Sequence, residues 1–130
     1  MEIETVTEWF YLADADMDSA KLLKEMRPQH REIICYHCEQ AVEKYLKGYL
    51  QANDIKPPEI HALVKLCMVC SEKDDRFNQI TNECGYLTQF ATQLRYPHEI
   101  AISEYNVTKA LADAETRHPC RNEFATQTLG

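Results

Sequence analysis

Apolar residues recur every three or four positions along most of the chain, which predicts a protein built almost entirely of α-helices. The clearest segment is residues 33–50, where one broad side of a helical wheel collects Ile34, Cys38, Ala41, Val42, Tyr45, Leu46 and Tyr49. The polar residues of the segment fall mostly on the other side, namely Glu39, Gln40, Glu43, Lys44 and Lys47. So wide an apolar sector predicts a central helix that contacts more than one neighbour. Glu43 and Lys47 also have the spacing and order of a stabilising i, i+4 ion pair.

A first helix is predicted from about Thr5 to Met26. Thr5 and Glu8 have the spacing of a capping box, and Pro28 interrupts the helical pattern soon after the helix ends. The short connection to the central helix favours an antiparallel hairpin. Asp16 lies inside the apolar stripe of this first helix, where a carboxylate needs a hydrogen-bonded or charged partner. We interpret Asp16 as a structural residue at the edge of the stripe.

Three more helices follow the central one. The third is short, covers about residues 61–71 and comes after a connection interrupted by two prolines. The fourth covers residues 77–94 and ends before Pro97, because a residue that precedes proline avoids helical geometry. Ser103 is a suitable N-cap for the fifth helix. Its predicted inward residues are Val107, Ala110, Leu111 and Ala114. The expected fold class is therefore all-α, an antiparallel up-and-down bundle of four or five helices.

Composition narrows the class of protein. The 130 residues suffice for one domain, which we place at residues 1–118, with residues 119–130 as a flexible C-terminal tail. A formal net charge of −7 argues against broad binding to nucleic acid or anionic membrane through bulk charge, although a local basic pocket stays compatible with it. No apolar run is long enough to span a membrane, and the acidic start is unlike a secretory signal, so we expect a cytoplasmic protein without membrane contact.

The chain has six cysteines, and four of them form two Cys-x-x-Cys pairs, Cys35 with Cys38 and Cys67 with Cys70. Paired motifs of this kind often bind zinc, which is one interpretation. The other is that they are reduced core thiols, since the pairs are far apart and lie within predicted helices. We favour core thiols and therefore expect no metal. We also expect no cofactor, because phosphate-binding and catalytic loop motifs are absent.

Three pieces of sequence together resemble the HEPN domain family of small helical proteins. The stretch Ile34-Cys35-Tyr36-His37-Cys38-Glu39-Gln40-Ala41-Val42-Glu43-Lys44-Tyr45-Leu46-Lys47-Gly48 is similar to the signature of the family's second helix. Pro57-Pro58-Glu59-Ile60-His61-Ala62-Leu63 resembles the Pro-x-x-His-x-Leu entry to its third helix, and Arg95-Tyr96-Pro97 the Arg-Tyr-Pro that closes its fourth. The three pieces stand in family order and span most of the chain. The resemblance implies a HEPN-like helical bundle.

The resemblance also implies candidate site residues. HEPN ribonucleases carry Arg-x(4 to 6)-His near the fourth helix, where Arg95 and His98 of this chain stand only three positions apart. Arg95 and His98 are the candidate catalytic pair, and they are also candidate ligand-binding residues together with Tyr96. The alternative is structural, because an arginine in a last helical turn complements the carbonyl end and Tyr-Pro fixes the turn. Arg31 and His37 have an Arg-x5-His spacing, which we interpret as coincidence since they begin the second helix.

His37 and Lys44 are the remaining candidate ligand-binding residues. Both lie at the polar edge of the central helix, which is either a solvated face or one wall of a nucleotide pocket. The family resemblance implies a homodimer that works with a minimal nucleotidyltransferase in a toxin-antitoxin-like pair.

Three functions are consistent with the sequence. The first is a binding module for nucleotide or RNA that acts with the nucleotidyltransferase. The second is a metal-independent endoribonuclease toxin that uses the Arg95-Tyr96-Pro97-His98 turn, and the third is a structural adaptor. The sequence leaves open whether the protein is an enzyme at all, because the family's catalytic spacing is not intact.

Overall fold

The protein was analysed as a computed structural model, which describes residues 3–91 and 101–117. These residues form five α-helices: α1 (Ile3–Met26), α2 (Arg31–Ala52), α3 (Leu63–Ser71), α4 (Thr81–Thr88) and α5 (Glu104–Ala114). Three 3₁₀ segments flank the later helices, at Asp75–Ile80, Gln89–Ala91 and Glu115–Arg117. The described residues contain no strand, so the predicted all-α fold class is confirmed. No helix within them is long and apolar enough to cross a membrane.

Helix α2 is the centre of the bundle. It packs against α1 along much of its length and also contacts α3, α4 and α5, which confirms the prediction of several neighbours. All seven residues of its predicted apolar sector are buried, at 0–3% exposure. Tyr45 packs against Phe10 of α1 with tilted rings whose centroids are 5.9 Å apart, and the ring centroids of Tyr49 and Phe77 are 4.7 Å apart. Burial of so many large apolar side chains on one helix makes α2 the main source of core stability.

The helices α1 and α2 approach closely at Gly48. A Cβ atom at this position would lie 3.1 Å from the Cβ of Trp9 and 3.2 Å from the ring of Phe10. Only a residue without a side chain fits between two helix backbones at this spacing without displacing one of them. Gly48 therefore fixes the distance between the two longest helices of the described structure.

Three predicted details at helix ends are wrong. Helix α1 already includes Ile3, so Thr5 lies inside the helix and is not its N-cap. Helix α3 begins at Leu63, and His61 belongs to the extended connection before it. The predicted fourth helix opens as the 3₁₀ segment Asp75–Ile80, because the side chain of its N-cap residue, Asp74, accepts a hydrogen bond from the backbone N–H of Arg76 and tightens the first turn. Its predicted end at residue 94 lies outside the described residues.

Helix α5 has the predicted N-cap, Ser103. The Ser103 hydroxyl accepts a hydrogen bond from the backbone N–H of Asn106, and the Asn106 side chain accepts one from the backbone N–H of Ser103. Asn106 also donates to the hydroxyl of Tyr86 at 2.8 Å, which ties α5 to α4. Of the four predicted inward residues, Val107, Ala110 and Ala114 are buried and Leu111 is half-buried.

Replacing Ser103 by alanine should lower the free energy of unfolding by about 1 kcal/mol, since the first turn of α5 loses its side-chain cap. Urea denaturation of the two proteins measures this difference. Ser71→Ala is a suitable control, because Ser71 is the last residue of α3 and its hydroxyl donates to the carbonyl of Met68 in the same helix. Equal losses in the two variants would contradict the capping role of Ser103.

Candidate functional site

The polar side of α2 is largely enclosed by the fold. Glu39 is 0%, Glu43 6% and Lys47 7% exposed, while Gln40 and Lys44 are half-buried. Neighbouring helices and the connection between α2 and α3 surround α2, so its ionisable residues are enclosed within the fold. Enclosed charges must find partners, and these partners define the candidate site.

Asp16 of α1 joins two candidate residues of α2. Its carboxylate is hydrogen-bonded to Nδ1 of His37 at 2.8 Å and accepts from Nζ of Lys44 at 2.5 Å. Burial opposes the charge on Asp16, but the hydrogen bonds from His37 and Lys44 outweigh it and lower the pKa of this carboxyl below its usual value. The predicted need of Asp16 for a polar partner is confirmed. About a quarter of each side chain, His37 and Lys44, stays exposed, with the second ring nitrogen of His37 not used by Asp16.

Glu43 organises a second polar group at the other end of α2. One of its carboxylate oxygens, Oε2, is 3.3 Å from Nζ of Lys47 and 3.2 Å from Nδ1 of His61. The predicted i, i+4 ion pair is thereby confirmed, although both of its side chains are only 8% exposed. The other oxygen, Oε1, is buried and has no hydrogen-bond partner among the described residues. The ammonium of Lys47 also lies 5.9 Å from the ring centroid of Trp9, within cation–π range.

A pocket of about 380 Å³ opens beside this polar group. Its lining residues are Trp9, Lys47, Pro57, Pro58, Glu59 and His61. The ring of Trp9 also borders a smaller cavity of about 220 Å³ on α1, together with Thr5, Glu8 and Leu12. The larger volume is within the roughly 300–1,000 Å³ that ligand pockets occupy. Because three separate elements supply the walls, the pocket exists only in the folded chain.

Glu39 lies between the two polar groups and is the most deeply buried carboxylic acid of α2. Its Oε1 accepts a hydrogen bond from Nε2 of Gln40 at 2.7 Å, and its Oε2 has no partner among the described residues. Burial raises the pKa of Glu39 to about 8, and the nearby carboxylates of Glu43 and Asp16 act in the same direction. Glu39 is therefore mostly protonated at neutral pH.

The paired cysteines lie in the core. Cys35, Cys38, Cys67 and Cys70 are buried as free thiols, which agrees with the interpretation as core residues. Three of them donate weakly to backbone carbonyls of different segments, those of Asn106, Phe77 and Leu46. Burial raises the pKa of Cys35 to about 12 and that of Cys38 and Cys70 further. Within residues 3–91 and 101–117 no three potential ligands converge on a metal position.

The remaining candidate residues are placed differently. Arg95, Tyr96 and His98 lie outside the described residues, so their roles stay predictions. Arg31 donates to the carbonyl of Ile102 at 3.2 Å and so connects α2 to the residues before α5. His37 is held by Asp16, so different elements fix the two members of the Arg-x5-His spacing.

The sequence interpretation missed Trp9, Lys47 and His61 as members of one site. From the sequence, Lys47 had a role only as the i, i+4 partner of Glu43, and His61 only as part of the entry to the third helix. The only sequence signal was the Pro57-Pro58 pair, which predicts an extended connection able to lie across another element. Nothing in the local pattern indicates that this connection covers the end of α2.

The fold and these polar groups define a small helical bundle whose central helix carries enclosed ionisable side chains. The family model of the HEPN domain matches residues 6–116, so the chain belongs to the HEPN family, as the resemblance predicted. The crystal structure of an archaeal HEPN homologue is similar, with a TM-score of 0.71 and 20% sequence identity over 92% of this chain and 97% of that one. At this identity the similarity concerns the fold. No curated protein matches the chain.

Proposed function

We propose that the protein is a cytoplasmic, nucleotide- or RNA-binding HEPN module that acts with a minimal nucleotidyltransferase in a toxin-antitoxin-like pair. The pocket beside α2 is the observation that carries the proposal, since it combines an aromatic ring, an ammonium group and an imidazole around one opening. Stacking on an aromatic ring and contact with basic groups are the common means of holding nucleotides and single strands. Membership of a family associated with nucleotide- and RNA-related functions supports the same conclusion.

The acidic charge of the chain agrees with a confined binding site. With a net charge of −7, long-range attraction of nucleic acid is weak, so affinity must come from a few placed groups. Arg95 is our choice for the phosphate contact, because a guanidinium grips phosphate through two hydrogen bonds. Tyr96 and His98 follow it in the sequence, and we assign them to the same site. His37 and Lys44 would form the outer edge of the binding site, since each keeps part of its side chain exposed beside Asp16.

The proposal includes a homodimer and a nucleotidyltransferase partner. HEPN proteins are often dimeric, and a two-fold axis would bring Arg95 and His98 of both subunits to one composite cleft. Light scattering of the purified protein should give about twice the chain mass of 15.1 kDa. Purification from the native host followed by mass spectrometry should recover a nucleotidyltransferase. A monomer at tens of micromolar, or the absence of any such partner, would contradict this part of the proposal.

Replacing Arg95 by alanine should weaken binding of a labelled single-stranded RNA by tenfold or more, the loss of a charge-assisted contact of about 1.5–3 kcal/mol. Fluorescence anisotropy measures the affinity. Arg27→Ala is the matched control, because Arg27 is exposed and its side chain, within residues 3–91 and 101–117, donates only to the carbonyl of Met26. Arg31→Ala should also leave affinity nearly unchanged, but its melting temperature must be checked since Arg31 supports the Ile102 carbonyl.

Two outcomes would change the proposal. Unaltered affinity in the Arg95 variant, with its melting temperature preserved, would remove Arg95 from the site. Cleavage of the RNA by the unmodified protein in chelator, abolished by His98→Ala but retained when Arg31 and His37 are replaced, would establish the endoribonuclease alternative.

A further inference from the structure

The pocket beside Trp9 has a charge that is unusual for a nucleotide site. Lys47 is its one permanently cationic lining residue among those described, and its ammonium is paired with the buried carboxylate of Glu43. Glu59 adds a second carboxylate at the rim, where it is exposed. One ammonium against two carboxylates gives no net attraction for a phosphate group. A phosphate placed there would meet repulsion, so the ligand group that enters the pocket is not an anion.

The walls specify the shape of that group. Trp9 offers a half-buried indole, and Pro57 and Pro58 offer half-buried apolar rings on the connection that faces the end of α2. A flat ring can lie against such surfaces with little loss of hydration, and stacking on indole adds to this gain. Polar side chains also line the pocket, namely those of Lys47, Glu59 and His61. A flat, uncharged ring with donors and acceptors around its edge matches this arrangement.

We infer that the pocket binds a nucleobase, stacked on Trp9, while the phosphates of the same ligand stay outside it. This inference rests on the proposed function and names the part of the ligand that the pocket takes. Lys47 has three donor hydrogens, and its bond to Glu43 uses one of them, so another can reach a ring acceptor. His61 also lines the pocket, with three quarters of its side chain exposed and its Nδ1 3.2 Å from Oε2 of Glu43.

Tryptophan fluorescence can report binding at the pocket, because Trp9 is the single tryptophan of the chain. Adding a nucleoside such as guanosine should change the emission of Trp9 and protect it from acrylamide quenching. Guanosine monophosphate should bind at least as well as guanosine, and inorganic phosphate should neither change the emission nor compete. Affinity for the nucleoside should hardly depend on salt, unlike a phosphate contact. If a short RNA protects Trp9 from quenching and free nucleosides do not, the base that binds in the pocket belongs to an RNA strand.

Substitutions test the stacking directly. Trp9→Ala should weaken nucleoside binding by roughly 5- to 150-fold, as expected for the loss of one stacked base, and Trp9→Phe should retain much of the affinity. Equilibrium dialysis of labelled nucleoside measures both, since fluorescence is lost with Trp9. Tyr11→Ala is the matched control, because Tyr11 is an aromatic residue of the same helix that is 70% exposed and outside the pocket. The quenching experiment uses only the unmodified protein, so its result does not depend on whether a variant folds.

The result that overturns the inference differs from the one that overturns the proposed function. RNA binding by anisotropy with no response of Trp9 to any nucleoside, nucleotide or RNA would exclude the base pocket and leave the module intact. Competition by inorganic phosphate at the pocket would also exclude it. Absence of nucleotide and RNA binding in every assay would contradict both the base pocket and the proposed function.

Discussion

Replacing Glu39 by glutamine should make the protein more stable at pH 8 than the unmodified protein, by on the order of 2–4 kcal/mol, and nearly equal to it below pH 4.5. The folded chain raises the pKa of Glu39 from 4.5 to about 8, chiefly through burial. Between these two values the unfolded chain has lost this proton while the folded chain keeps it. Stability due to Glu39 is therefore fully present below pH 4.5, falls as the pH rises and levels off above pH 8.

Glutamine removes that dependence while keeping a carbonyl oxygen for the hydrogen bond from Gln40. Urea unfolding at several pH values between 4 and 9 gives the difference between the two proteins, in which the titration of all other groups cancels. Glu32→Gln serves as control, since Glu32 is exposed in the first turn of the same helix. Parallel stability curves for the Glu39 variant and the unmodified protein would show that Glu39 is not held in its protonated form.

Replacing Gly48 by alanine should destabilise the protein by about 1–3 kcal/mol, whereas the same change at Gly85 should stabilise it by about 0.5–1 kcal/mol. Both glycines lie inside helices, where alanine is intrinsically better. At Gly48 the new methyl group would meet the Cβ of Trp9 at 3.1 Å, an atom that moves only if the backbone of α1 moves. At Gly85 the new methyl group would lie 3.8 Å from a methyl of Val64, an ordinary contact.

Thermal and urea denaturation of the two alanine variants measures this contrast. Because Trp9 both limits the space at Gly48 and lines the pocket, Gly48→Ala should also weaken nucleoside binding, while Gly85→Ala should not. Equal stabilisation by both substitutions would mean that α1 can shift without cost, and that the helix spacing does not fix the pocket.

The sequence predicted the helices well because helix formation here follows local rules. The apolar spacing of α2 needs no knowledge of other segments, and Ser103 caps α5 through residues three positions away. The same holds for the pair Glu43 and Lys47, which share one helix. Even the need of Asp16 for a partner could be predicted, since a carboxylate in an apolar stripe is costly alone.

The identity of those partners could not be predicted in the same way. Asp16 contacts His37 and Lys44 only because α1 and α2 pack antiparallel at a register that no local pattern specifies. Glu43 similarly finds His61 across 18 positions of sequence.

By itself, the sequence determined the all-α class, the central position of α2 and membership of the HEPN family, because periodicity and signature residues are properties of single segments. Only the tertiary structure decided that the polar side of α2 is enclosed, with Glu39 buried and Lys47 held beside Trp9. A helical wheel separates polar from apolar residues but cannot show what covers each side. Here the connection with Pro57 and Pro58 lies beside α1 and the end of α2, and their proximity creates the pocket.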